Sequence, residues 1–198
     1  DTAGNMPYAD IVLALPKALD TFWVPTLQAS GVTFTAPTLQ AFTPGSAAPS
    51  CDGRAADDLT NDATYCVDTN TIVYDEVFVQ DLYSRLGDLS FGYPIAGAYS
   101  DAVQVALTSS LTGEERVLLN DCLVGAWIVD IVPSGEFDAD GNQVATNPAQ
   151  EILLSAGDLD EAVLTAVALG DEAASTNVVG TAFEKIDSFR SGVLGGMS

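Results

Sequence analysis

The stretch Tyr93-Pro-Ile-Ala-Gly-Ala-Tyr-Ser-Asp-Ala-Val-Gln-Val-Ala-Leu107 carries a single charge, Asp101. Ile95, Ala96, Ala102, Val103 and Ala106 make it a mostly apolar helix over 93–107. Pro94 suits only the first turn of such a helix, where its missing N–H is not needed. Upstream, 76–86 places Phe78, Leu82 and Leu86 on one face and stops at Gly87, a helix with a glycine after its last turn. Before it, the β-prone runs at 63–66 and 71–74, separated by Val67-Asp-Thr-Asn70, predict a hairpin. Downstream, Thr112 with Glu115 three residues on reads as a capping box opening a helix that runs to about residue 132. Pro133 and a polar excursion over 135–148 follow. A helix then starts at Asp158 and Glu161 and ends at Gly170, and a last amphipathic helix covers 181–194 with Phe183, Ile186, Phe189 and Val193. At the N-terminal end, Leu15, Leu19, Phe22, Trp23 and Leu27 give 8–29 a helical stripe, which Pro16 and Pro25 are expected to break or kink. Residues 31–50, punctuated by Pro37, Pro44 and Pro49, read as irregular.

These elements describe an α+β chain that is mostly helical, with a small sheet. Its 198 residues, 47% hydrophobic, suffice for one domain with a buried core. Residues 1–50 form an N-terminal helix and Pro-rich segment packing on that core, and 51–198 form the main domain. With 28 acidic residues against 6 basic ones the net charge is −22, which disfavours nucleic acid and anionic membrane surfaces as partners. No run of about 18 apolar residues is present to span a bilayer. The start at Asp1 suits a processed chain from which a signal sequence or lipid anchor has been removed. Cys51 and Cys66 flank a polar loop and are expected to pair, leaving Cys122 reduced in an apolar run. A disulfide implies an extracytoplasmic, oxidising compartment, and three free thiols in a cytoplasm are the alternative. The chain contains no histidine. That removes the usual general base of serine and cysteine hydrolases and the commonest transition-metal ligand.

Four segments, taken in order, resemble the neutral zinc metallopeptidases of bacterial secreted and membrane-anchored proteins. They are Tyr65-Cys-Val-Asp-Thr-Asn-Thr-Ile-Val-Tyr-Asp75, Leu86-Gly-Asp88, Asp121-Cys-Leu-Val-Gly-Ala-Trp127, and Ala156-Gly-Asp-Leu-Asp-Glu-Ala162 continuing to Leu169-Gly-Asp171. The resemblance spans about residues 50–192 and implies a zincin-like fold. Members of that family carry HExxH, in which two histidines one helical turn apart bind zinc and the glutamate polarises the attacking water. Aligned on Gly87-Asp88 and Gln104, those five positions are Gly97, Ala98, Tyr99, Ser100 and Asp101. The third ligand, a glutamate of the next helix, corresponds to Val117, and an aspartate bracing a zinc-bound histidine corresponds to Asp121. A later histidine corresponds to Val179. The resemblance therefore implies a member that has lost its zinc ligands and its base while keeping the brace.

Asp101 alone could bind a metal among these positions, and one carboxylate does not hold zinc where working sites use three or four protein ligands. No cofactor is expected. The implied product is a catalytically inactive, secreted or surface-tethered subunit that binds a protein or peptide, with Tyr99, Ser100, Gln104 and Asp121 lining the former cleft. Asp121 reads as a relic acid or as a buried carboxylate accepting hydrogen bonds, for example from Tyr99 or Ser100. A metal-free hydrolase working with paired carboxylates is the alternative. Serine–lysine catalysis would need Lys17 or Lys185, both expected at helix surfaces. The acids Asp138 and Asp140, within Glu136-Phe-Asp-Ala-Asp-Gly-Asn142, read as a turn at Asp140-Gly141 in preference to a weak calcium loop. Asp57, Asp58, Asp62 and Asp68 read as a solvated acidic face. Phe22, Trp23, Phe34 and Phe42 read as core packing or as anchors for a partner.

Overall fold

A computed structural model describes residues 6–47, 49–155, 157–173 and 180–196. The protein is α+β and mostly helical. The hairpin forms as its sequence dictates: β2 (Ala63–Cys66) pairs antiparallel with β3 (Thr71–Asp75), and Asn70 takes the left-handed conformation, φ 50°, that a tight turn requires. A third strand, β1 (Thr38–Phe42), adds parallel to the other side of β3. This corrects the irregular reading of 31–50. An edge strand is held by its neighbour's backbone and shows no alternating apolar pattern, so Pro37 and Pro44 bracket β1 without disturbing its ladder. On β3, Ile72 and Tyr74 enter the main core, while Val73 joins Phe42, Leu59 and the Cys51–Cys66 disulfide in a smaller one.

Asp75 links sheet to helix. It is 2% exposed, and its Oδ1 accepts from the amides of Val77 and Phe78, capping α2 (Glu76–Leu86). Gly87, at φ 121°, ends α2, and α3 (Asp88–Ala106) begins at once. The start lies five residues before the expected Tyr93, so Pro94 is interior rather than in the first turn. Burial outweighs the lost hydrogen bond: nearly the whole surface of α3 is covered, including Phe91, Ile95, Tyr99 and Val103. A helix apolar all round belongs in the middle. Accordingly α1, α2, β2, α4 and α5 all pack against it.

Around it, α1 (Tyr8–Ala29) runs unbroken through Pro16 and Pro25, where breaks or kinks were expected. Its buried stripe of Leu15, Leu19, Trp23 and Leu27 holds the helix across both missing N–H groups. Phe22 and Phe34 lie half-buried on the same core and Phe42 in the smaller one, so the N-terminal aromatics serve packing. Next, α4 (Gly113–Ile128) is shorter than expected and continues as one 3-10 turn, Val129–Ile131. Thr112 makes no side-chain cap, so the expected capping box does not form there. The polar excursion contains a two-stranded hairpin, β4 (Pro133–Phe137) with β5 (Gln143–Ala145). Finally, α5 (Asp158–Ala173) passes through Gly170 rather than stopping at it, and α6 (Ala182–Gly195) starts from a Thr181–Glu184 capping box. Gly170 is needed for proximity: a Cβ there would meet the Ala182 backbone at 2.6–2.7 Å.

Candidate functional site

The helices α3 and α4 lie side by side in opposite directions, joined by polar rungs. Tyr93 Oη donates to Asp121 Oδ1 at 2.8 Å. About two turns further along α3, Asp101 Oδ1 accepts from Arg116 Nε at 2.8 Å and from Asn120 Nδ2 at 2.9 Å. Gln104 Nε2 then donates to the Arg116 carbonyl at 2.9 Å and to Asn120 Oδ1 at 2.7 Å. Helical spacing sets Gly97 between Tyr93 and Asp101 on the face that carries these rungs, and Val117 one turn from Asp121 on the opposing helix. A Cβ on Gly97 would meet nothing within 4 Å.

The third wall is α6. Lys185 is 5% exposed, and its Nζ donates to both oxygens of Asp121, at 3.1 and 2.8 Å. This corrects the expectation of a surface lysine. The amphipathic spacing of α6 was right, but the lysine lies on its inward face because a carboxylate waits there. Lys185 reaches it because α4 and α6 almost touch. A Cβ on Gly192 would collide with the Cys122 carbonyl, and one on Gly125 with that of Phe189. Two glycines, one per helix, permit the close crossing.

Electrostatics follow from burial. Burial pushes the Asp121 carboxyl above its ordinary range, and Lys185 and Tyr93 pull it back. Burial, then the Asp121 charge, hold the Tyr93 phenol well above its ordinary value, so it remains a donor. The Cys122 thiol is raised by burial and by Asp121, the opposite of an activated nucleophile.

The other residues expected at the cleft are interior and self-contained. Tyr99 is fully buried, and its hydroxyl reaches away from α4 to Asp20 of α1 at 2.7 Å. Ser100 is fully buried and donates to the Ala96 carbonyl. Neither is a partner of Asp121, which corrects that expectation: the hydroxyl comes from Tyr93, six or seven residues earlier. Ala98 is buried as well. The position aligned with the later histidine, Val179, lies outside the described residues. Tyr93, Arg116, Asn120 and Lys185 carry the seam, and reading the sequence alone singled out none of them as site residues. A lysine at the buried face of an amphipathic helix was the available signal.

Away from the seam, Asp57, Asp58, Asp62 and Asp68 are exposed. Asp138 uses both carboxylate oxygens within its own turn, on the amides of Asp140 and Asn142 and the Asn142 side chain. That arrangement is the turn reading of the β4–β5 loop.

No family model, curated protein or solved structure matches the chain.

Proposed function

We propose that this chain is a catalytically inactive relative of the zinc metallopeptidases, with a zincin-like arrangement of α3 and α4, and that it acts outside the cytoplasm by binding a protein or peptide. The observation that carries the reading is the Tyr93–Asp121–Lys185 cross-link. At the position aligned with the family's brace, the carboxylate survives, and an internal ammonium takes the place of a charged metal assembly beside it. Positive charge is still supplied to Asp121, now from within the chain. Val117 offers no ligand atom, Gly97 offers none, and Asp101 Oδ1 is engaged by Arg116 and Asn120. The Cys51–Cys66 disulfide is compatible with an extracytoplasmic setting.

Rebuilding the site tests the reading. The variant Gly97→His, Asp101→His, Val117→Glu, Lys185→Met returns three ligands to the seam and frees Asp121 for its bracing role. The expected result is one zinc per chain in the variant, with tetrahedral nitrogen and oxygen coordination by X-ray absorption. A folded variant that takes up no zinc would show that α3 and α4 do not have zincin geometry, and the family reading would fall with it.

A further inference from the structure

A second polar cluster lies at the opposite end of α3. Asp88, its first residue, meets Asp158 and Glu161 in the first turn of α5, with one carboxylate oxygen from each within 4.8 Å of the others. The three are 8%, 4% and 8% exposed. Helix starts explain part of the arrangement: Glu161 Oε2 accepts the Leu89 amide at 3.1 Å, and Asp158 accepts the amide and hydroxyl of Ser155. They leave one oxygen unexplained. Asp88 Oδ2 takes the Met6 amide at 2.7 Å, while Oδ1 is buried without any hydrogen-bond partner. None of the ion pairs among the described residues reaches this cluster. Beside it, a pocket of about 30 Å³ is lined by Asp88, Asp158, Trp127 and apolar side chains, and the Trp127 indole N–H is likewise buried and unpartnered. Room of that size suits one water.

We propose that Asp88, Asp158 and Glu161 bind one hard divalent cation of the calcium or magnesium type, the pocket holding one water as a further ligand. Buried carboxylates are paired or bind metals, and three hard oxygen ligands select this class of ion over zinc or copper. Gly87 permits the arrangement, since a Cβ there would collide with the Glu161 carboxylate.

The test uses the full chain after chelator treatment, titrated with CaCl2 and MgCl2 at pH 7.5 by calorimetry, and with Tb³⁺ while exciting tryptophan. One ion per chain is expected, with Tb³⁺ luminescence sensitised by Trp127 and a rise in Tm on adding Ca²⁺ or Mg²⁺. Glu161→Gln keeps an acceptor for the Leu89 amide and should weaken binding by about tenfold or more, since even outer-shell partners of a metal are worth that much. Asp88→Asn should do the same, and the surface control Asp138→Asn should not. The proposal is overturned by the absence of saturable binding at pH 7.5. It is equally overturned by binding that Glu161→Gln and Asp88→Asn leave intact, which would assign the ion to the acidic surface.

Discussion

Replacing Lys185 by Met leaves Asp121 with Tyr93 alone at 4% exposure. An uncompensated buried charge costs about 3–5 kcal/mol. Against a total stability of about 5–15 kcal/mol for a domain, that is a large fraction. The exposed pair Arg85–Asp81, with side chains 55% and 59% accessible, provides the contrast. Breaking it by Arg85→Met should cost less than about 1 kcal/mol. The pH dependence carries a definite sign. In Lys185→Met the folded-state pKa of Asp121 rises further above its unfolded value, so the folded chain holds a proton that the unfolded chain gives up. The penalty is full at neutral pH and shrinks as the pH falls toward the unfolded carboxylate range. Adding Asp121→Asn removes the charge while keeping an acceptor for Tyr93, and should recover most of the loss at neutral pH. Urea unfolding followed by tryptophan fluorescence and circular dichroism at pH 7.5 and 5.5 measures all of this. A loss below about 1 kcal/mol for Lys185→Met, or one unchanged by acid, would refute a buried ion pair at the seam.

The α4–α6 crossing predicts that Gly192→Ala, whose Cβ would collide with the Cys122 carbonyl, lowers Tm sharply or prevents folding, because backbone must move. Gly97→Ala has open space and sits within α3, so the same measurement should show no loss and a gain of up to about 1 kcal/mol from helix propensity. Reducing the Cys51–Cys66 bridge, which closes a separation of 15 residues, should cost about 3 kcal/mol in chemical denaturation, and an unchanged midpoint would contradict its structural role. For the metal-free chain, Glu161 at about 7 against an ordinary 4.5 means that the folded state binds more protons across that window. Stability is then highest at the acid end and declines as the pH rises, by at most about 1.4 kcal/mol per pH unit, and Glu161→Gln should flatten the decline.

Local signals were legible where the physics is local. The α2 stop at Gly87, the β2–β3 turn at Asn70 and the Cys51–Cys66 pairing each depend on residues near one another in sequence. What could not be read is what tertiary contacts decide. The strand β1 exists because β3 lends it hydrogen bonds, and α1 survives two prolines because its stripe is buried. The start of α3 at Asp88 is held by Glu161, 72 residues away on the Leu89 amide. At the seam, Asp121 was legible as a buried acid among apolar neighbours, whereas its partner Lys185 lies 64 residues on. Lys185 falls one turn before Phe189 on the inward side of α6, but the carboxylate that holds it there is not evident until α6 is docked through Gly125 and Gly192.

The most direct test of the central claim is the zinc content and peptidase activity of the untagged chain, measured by elemental mass spectrometry after dialysis against trace zinc. Glu161→Gln is measured alongside, so that any ion at the Asp88–Asp158–Glu161 cluster is counted separately. Zinc well below one per chain at the seam and no chelator-sensitive peptide hydrolysis are expected. One tightly held zinc per chain in both proteins, with hydrolysis lost on chelation and restored by zinc, would contradict it.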